Sequence, residues 1–186
     1  MSFLRGLNAL KAFGLIISFV RNKRTLPEIL IDINLAITRI DNWISRLKTR
    51  SETLERLSYT NMGRFPLLSK EFLKEVEFNQ AYTTKLVQIK VLLEILKIRI
   101  ETIMLIGSIT GYLKPIIDAI YEVKKEIGIS IEMSPLLDQI IEIVSPLEPL
   151  SSSNVVINDN EKVKEILEES RKIAEKEVRE KYKVPA

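Results

Sequence analysis

The stretch LVQIKVLLEILKIRIETIMLI, residues 86–106, decides how the chain folds. Leu86, Ile89, Leu93, Leu96, Ile100 and Ile103 recur at alternating steps of 3 and 4, the spacing that lines side chains along one stripe of an α-helix. Upstream the stripe continues through Phe72, Asn79 and Tyr82, so a heptad seam predicts one helix from about Leu67 to Ile106. Asn79 is the polar position of that seam, of the kind that sets register. From Val91 onward the segment is apolar on a second side as well, through Val91, Leu92, Ile95, Ile98 and Leu105. A helix apolar on two sides requires two packing partners.

One partner lies just upstream. Ile33, Ile37, Ile40, Ile44, Leu47 and Leu54 form a second heptad seam, with Ser51 as its polar member. Pro27 suits a first helical turn, where its missing N–H is no loss, and the helix is predicted from about Glu28 to Ser58. Residues 59–66, YTNMGRFP, form the turn, with Gly63 offering positive φ and Pro66 restarting the helix. So short a connection makes the two long helices antiparallel neighbours. The fold expected is therefore all-α: a long antiparallel hairpin, residues 28–106, with shorter helices packed at its end.

Downstream, Gly107, Gly111 and Pro115 predict an elbow at 107–115. Short helices are expected at 113–127, ended by Gly128, and at 134–145, with Ser134 as N-cap and Pro135 at the first helical position. The stretch SPLEPLSSSN, residues 145–154, has linker composition. The layout is then an N-terminal helix at 1–24, a helical core at 25–146, a linker at 147–157 and a last helix at 158–183. Asn158 and Glu161 suggest a partial capping box for that helix. Val163, Ile166, Leu167, Ile173, Ala174, Val178 and Tyr182 form its apolar face.

Composition narrows the chemistry. The 186 residues are 46% hydrophobic and 28% charged, an ordinary globular balance, and abundant Ile, Lys and Glu are compatible with a thermophilic source. With no Cys and no His, disulfides, thiolate or imidazole metal sites and the usual nucleophile–base pairs are excluded. Glu75, Glu94 and Glu101, the candidate general acids, lie among lysines at helical spacing and read as solvated ion pairs. Phosphate-cradling glycine loops are absent, and Gly107-x-x-x-Gly111 lacks a charge-free apolar span around it. No catalytic residue, metal or cofactor is expected, and the chain reads as an assembly protein rather than an enzyme.

The net charge is only +3, but residues 1–25 carry five basic residues and no acid. Phe3, Leu4, Leu7, Leu10 and Phe13 interleave with Arg5 and Lys11, and Arg21, Lys23 and Arg24 close the segment. A surface-lying amphipathic helix is the expectation; a buried helix and a cleaved signal are the alternatives. Arg39, Arg46 and Arg50 share one side of the first hairpin helix. They read either as a solvated coiled-coil flank or as a surface for anionic lipid headgroups. Nucleic acid ranks below lipid, because no aromatic stacking set or reading motif accompanies the charge.

The layout resembles the ESCRT-III superfamily, and within it the archaeal CdvB-type cell-division proteins. The residues that carry the likeness are KVLLEILKIRIETI from Lys90, YLKPIIDAI from Tyr112 and PLLDQI from Pro135. The resemblance implies subunits that self-associate, and pair with ESCRT-III-like paralogues, into membrane-bound filaments that constrict and sever. It implies a cytoplasmic protein, peripheral on the inner face of the cell membrane, whose last helix alternates between a docked and a released state. On physical grounds the second apolar side, with Val91, Ile95 and Ile98, is the expected polymer interface, covered either by the helices after the elbow at Gly107, Gly111 and Pro115 or by a neighbouring subunit. The resemblance also implies disassembly by a Vps-type AAA ATPase through its MIT domain. Pro146, Leu147, Pro149 and Leu150 have the flavour of an extended MIT-interacting motif, a plain linker being the alternative; Leu167 to Arg171 fits the helical type poorly. The winged-helix tail of some relatives is not expected before Ala186. A helical adaptor or coiled-coil scaffold with no membrane role is the alternative to the whole reading.

Overall fold

The structure, a computed structural model, describes residues 24–106, 113–127, 133–151 and 159–182. Helix α1, Leu26–Asn61, and helix α2, Pro66–Ile106, form the antiparallel hairpin. At a rise of ~1.5 Å per residue their 36 and 41 residues give rods of about 54 and 62 Å. Four shorter helical elements follow: α3, Leu113–Ile127; α4, Ser134–Val144; α5, Glu148–Ser151, reached through a 3₁₀ turn at Ser145–Leu147; and α6, Asp159–Tyr182.

Helix α1 starts two residues earlier than expected because Thr25 caps it. The Thr25 hydroxyl accepts from the Glu28 N–H and the Glu28 carboxylate accepts from the Thr25 N–H, a full capping box around Pro27. Those hydrogen bonds hold the Glu28 carboxyl below its ordinary pKa, with Arg24 adding to the effect. The helix also ends three residues later. Asn61 donates from its amide to the Leu57 carbonyl at 2.7 Å, and Asn61's own carbonyl accepts from both Arg64 and Phe65. The C-cap Met62 is right-handed, with φ −54° and ψ −40°, and Gly63 does not supply the expected positive φ.

The α2 seam lies as the heptads require. Asn79, Leu86, Ile89, Leu93, Leu96, Ile100 and Ile103 are buried, and Tyr82 is half-buried against them. Across from it α1 buries Ile33, Ile40, Ile44 and Leu47, together with Ile29 and Ala36. Ala36 takes the inward position next to Ile37, which is only partly covered.

The other elements sheathe this hairpin. Helix α4 packs on α1, α3 on α2, and α6 on both α2 and α3. Leu113, Pro115, Ile116, Ile117, Ala119, Ile120, Val123 and Ile127 form the inner face of α3. Ser134 does not cap α4; it is the first helical residue, donating at 3.0 Å to Asp138, and the cap is Met133 with no side-chain bond.

The linker begins later than its composition suggested. Residues 145–151 are helical, Leu147 is buried, and Tyr121 of α3 donates to Glu148 at 2.7 Å. Pro146 sits at the start of the 3₁₀ turn, where proline is tolerated, so a proline that reads as a breaker acts here as a starter.

Candidate assembly interface

The second apolar side of α2 is divided between inside and outside. Val91 and Leu92 are buried, Ile95 is half-buried, and Ile98 is 60% exposed. Leu105 and Ile106 at the helix end are exposed at 86% and 72%. One stretch is thus sealed within the chain while the adjoining stretch is open.

The seal is made mainly by α6, which runs antiparallel to α2: Leu167 and Ser170 lie at Gln88, whereas Glu175, Val178 and Arg179 lie beside Glu77, Gln80 and Thr84. Ala174 and Val178 are buried, and Val163, Ile166 and Leu167 pack partly against the core. Ile173, expected on the apolar face, is 48% exposed, and Ser170 takes a buried place instead. Sequence reasoning missed Gln88. It is fully buried on the second side of α2, and its amide donates at 3.1 Å both to the Leu167 carbonyl and to the Ser170 hydroxyl. Its carbonyl oxygen finds no protein partner. A buried acceptor left so costs about 1–3 kcal/mol, which makes the α2–α6 contact specific without making it maximally tight.

Charge joins the same three helices. Glu126 of α3 pairs with Lys85 of α2 and, at 3.5 Å, with Arg171 of α6. On the far side of α2, Lys90 reaches Asp41 of α1 at 2.7 Å. Partial burial alone would lower the Lys90 pKa, but the Asp41 hydrogen bond and charge outweigh it and hold the ammonium above its ordinary value. Tyr121, shielded from water and bonded to Glu148, has its pKa raised to about 12.

The described basic residues expected to face lipid, Arg24, Arg39, Arg46 and Arg50, are each engaged within the chain. Arg39 donates to Gln139 of α4, Arg50 pairs with Glu75 of α2 at 2.8 Å, and Arg46 lies 5.6 Å from the Trp43 ring. Arg24 bridges Asp32 and Glu142, both at 3.1 Å. Phe3, Leu4, Arg5, Leu7, Leu10, Lys11, Phe13, Arg21 and Lys23 lie outside the described residues, as do Gly107 and Gly111. Pro115 is buried in α3. Of the expected ATPase motif, Pro146 is half-buried, Leu147 buried and Pro149 exposed; the Leu150 side chain is outside the described set.

Among the described residues no cluster of acidic side chains could hold a metal ion, and no helix is long and apolar enough to cross a membrane. Glu75, Glu94 and Glu101 stand apart on helix surfaces, Glu75 in its pair with Arg50. The arrangement is that of a rod with a side helix, α6, docked along it.

No protein-family model and no solved structure matches the chain. Among curated proteins it is 46% identical over 167 residues to cell division protein B3 of Sulfolobus acidocaldarius, an alignment spanning 87% of this chain and 98% of the relative. The chain belongs to the CdvB family. Cell division protein B1 of the same organism is a more distant relative of this CdvB protein, 27% identical over 153 residues, covering 78% of this chain and 72% of its own length. The family is ESCRT-III-like, and paralogues within it therefore exist alongside this chain's counterpart.

Proposed function

We propose that this CdvB-family protein assembles into filaments on the inner face of the cell membrane and serves constriction and scission there. The observation that supports this most is the split second side of α2. Val91 and Leu92 are covered by the chain's own helices, while Ile98, Leu105 and Ile106 on the same rod remain open. A second subunit that covers the open stretch presents a different surface in return, and heterologous contacts of that kind propagate into open filaments. Release of α6 through the Gln88 contact extends the available face by Ser170's and Val178's buried partners. The docked arrangement is then the resting one. Residues 1–24 supply a membrane contact, and a Vps-type ATPase acting at Pro146, Leu147, Pro149 and Leu150 first has to peel residues 145–151 from α3. No residue in this scheme performs covalent chemistry; the work is assembly.

The test is negative-stain electron microscopy of the purified chain, with and without anionic vesicles, beside a version lacking residues 1–24. Filaments or deformed vesicles with the full chain, and loss of vesicle binding on truncation, are expected. Small discrete particles and bare vesicles in every condition would favour the non-membrane scaffold instead.

A further inference from the structure

The far end of the hairpin is turned inside out. Ser58 of α1 and Ser69 of α2 are buried there, their hydroxyls 2.7 Å apart, each bonded across to the other's backbone carbonyl at 3.0–3.1 Å. Such contacts draw the arms so close that no large side chain fits between them, and the apolar ones point outward. Tyr59, Phe65 and Leu67 are exposed at 71%, 57% and 79%, and Met62 and Leu68 are open beside them. The sequence from Arg56 to Lys70 holds three basic residues, Arg56, Arg64 and Lys70, and no acid. None of the three enters an ion pair, in contrast to Arg50 farther along α1, which pairs with Glu75. Among the described residues, α4 meets α1 at Arg39 and α6 lies beside α2 from Glu77 to Gln88, both away from this tip.

From this juxtaposition we infer that the tip of the hairpin, around Phe65 and Leu67, is a second membrane contact that inserts into an anionic bilayer. Composition argues for lipid over protein. Aromatic and aliphatic groups ringed by unpaired cations match the boundary between acyl chains and anionic headgroups, and the acid-free stretch avoids repulsion from that surface. The tip lies about 50 Å along the rod from Arg24, where residues 1–23 join. Contacts at both ends hold the rod lengthwise against the membrane, with its open side free for a neighbouring subunit. The inference rests on the membrane reading above and adds a site to it.

The experiment uses the single tryptophan of the chain, Trp43. The full-length Trp43→Phe/Phe65→Trp variant, checked for helicity by far-ultraviolet circular dichroism, reports from the tip; the native chain reports from the arm. Both are mixed with brominated phosphatidylcholine vesicles, with and without phosphatidylglycerol. Expected are a blue shift and quenching at position 65 severalfold stronger than at Trp43, and only with the anionic lipid. Arg56→Gln/Arg64→Gln/Lys70→Gln is expected to bind such vesicles about 10–100-fold more weakly while keeping its helicity. Full-chain binding with position 65 unquenched would overturn the tip contact and leave the membrane reading standing. No binding by the full chain at all would overturn both. A blue shift that grows with protein concentration in the absence of lipid would assign the tip to a second copy of the chain and also overturn the inference.

Discussion

The two halves of the hairpin follow opposite rules. In the half nearest α3 and α4, Ile33, Ile40 and Ile44 face Leu93, Leu96 and Ile100, and all six are essentially inaccessible to solvent. In the half toward the turn the inward positions are Ser58, Ser69, Val76 and Asn79, while Tyr59, Phe65, Leu67 and Phe78 face out. One pair of continuous helices thus carries a hydrophobic core at one end and a hydrogen-bonded clasp at the other. The first end gains its stability from buried area; the second keeps the arms together with little core and leaves its apolar area available. Helix continuity and core continuity are thus separate properties. The heptad pattern announces the former over both arms, but the continuous core ends at Leu47 on one arm and Leu86 on the other.

The largest effect should come from the core end. Leu93→Ala removes a fully buried side chain from the seam and is expected to destabilise the fold by about 2–5 kcal/mol in chemical denaturation. A loss below about 1 kcal/mol would mean that this end is loosely packed and that the contrast with the tip is false.

The tip should answer in the opposite sense to size. Ser58→Leu would improve burial if the tip followed the rule of the core. Because the arms meet there through serine-to-backbone bonds, the larger side chain is expected to cost about 1–3 kcal/mol. Ser58→Ala alone should cost about 1 kcal/mol, and Ser58→Ala/Ser69→Ala about twice that, since each hydroxyl donates to a different backbone carbonyl and each substitution leaves one carbonyl without its bond across the arms. A double-variant loss no larger than the single one would show that the two bonds do not act separately and that the clasp opens once either is gone.

A third comparison sets α6 against the hairpin it covers. Gln88→Ala deletes the amide that holds the Leu167 carbonyl and the Ser170 hydroxyl. Amide hydrogen exchange across residues 163–178 should quicken about 5–10-fold, for a loss near 1 kcal/mol, while residues 33–47 keep their protection. Equal acceleration in both segments would mean that α6 is part of the hairpin's cooperative unit and does not open by itself.

How much of this was legible follows from what each residue type announces. The seams from Ile33 to Leu47 and from Leu86 to Ile103 were plain because aliphatic residues at heptad spacing have few other readings. Thr25 and Glu28 also spell a capping box, a signal that Pro27 overshadowed. Ala36 takes the buried place that the heptad spacing assigns to Ile37, because so small a side chain carries little hydrophobic signal of its own burial. Ser58, Ser69, Gln88 and Ser170 were not legible: a buried polar residue is identified by its partner, and their partners lie 11 to 82 residues away. Linker composition misled at Ser145–Ser151 because proline both ends helices and begins them.

The smallest effect tests the turn that separates the two arms. Gly63 lies between them with right-handed Met62 before it, and a Cβ added there meets nothing within 4 Å. A glycine that is neither left-handed nor crowded contributes mainly entropy to the unfolded chain, so Gly63→Ala should raise stability by about 0.4–1 kcal/mol. Vesicle binding through the tip should be unchanged, since Phe65 and Leu67 keep their backbone. A clear destabilisation would place Gly63 in a conformation that alanine resists, and the clasp would then depend on the turn as well as on its serines.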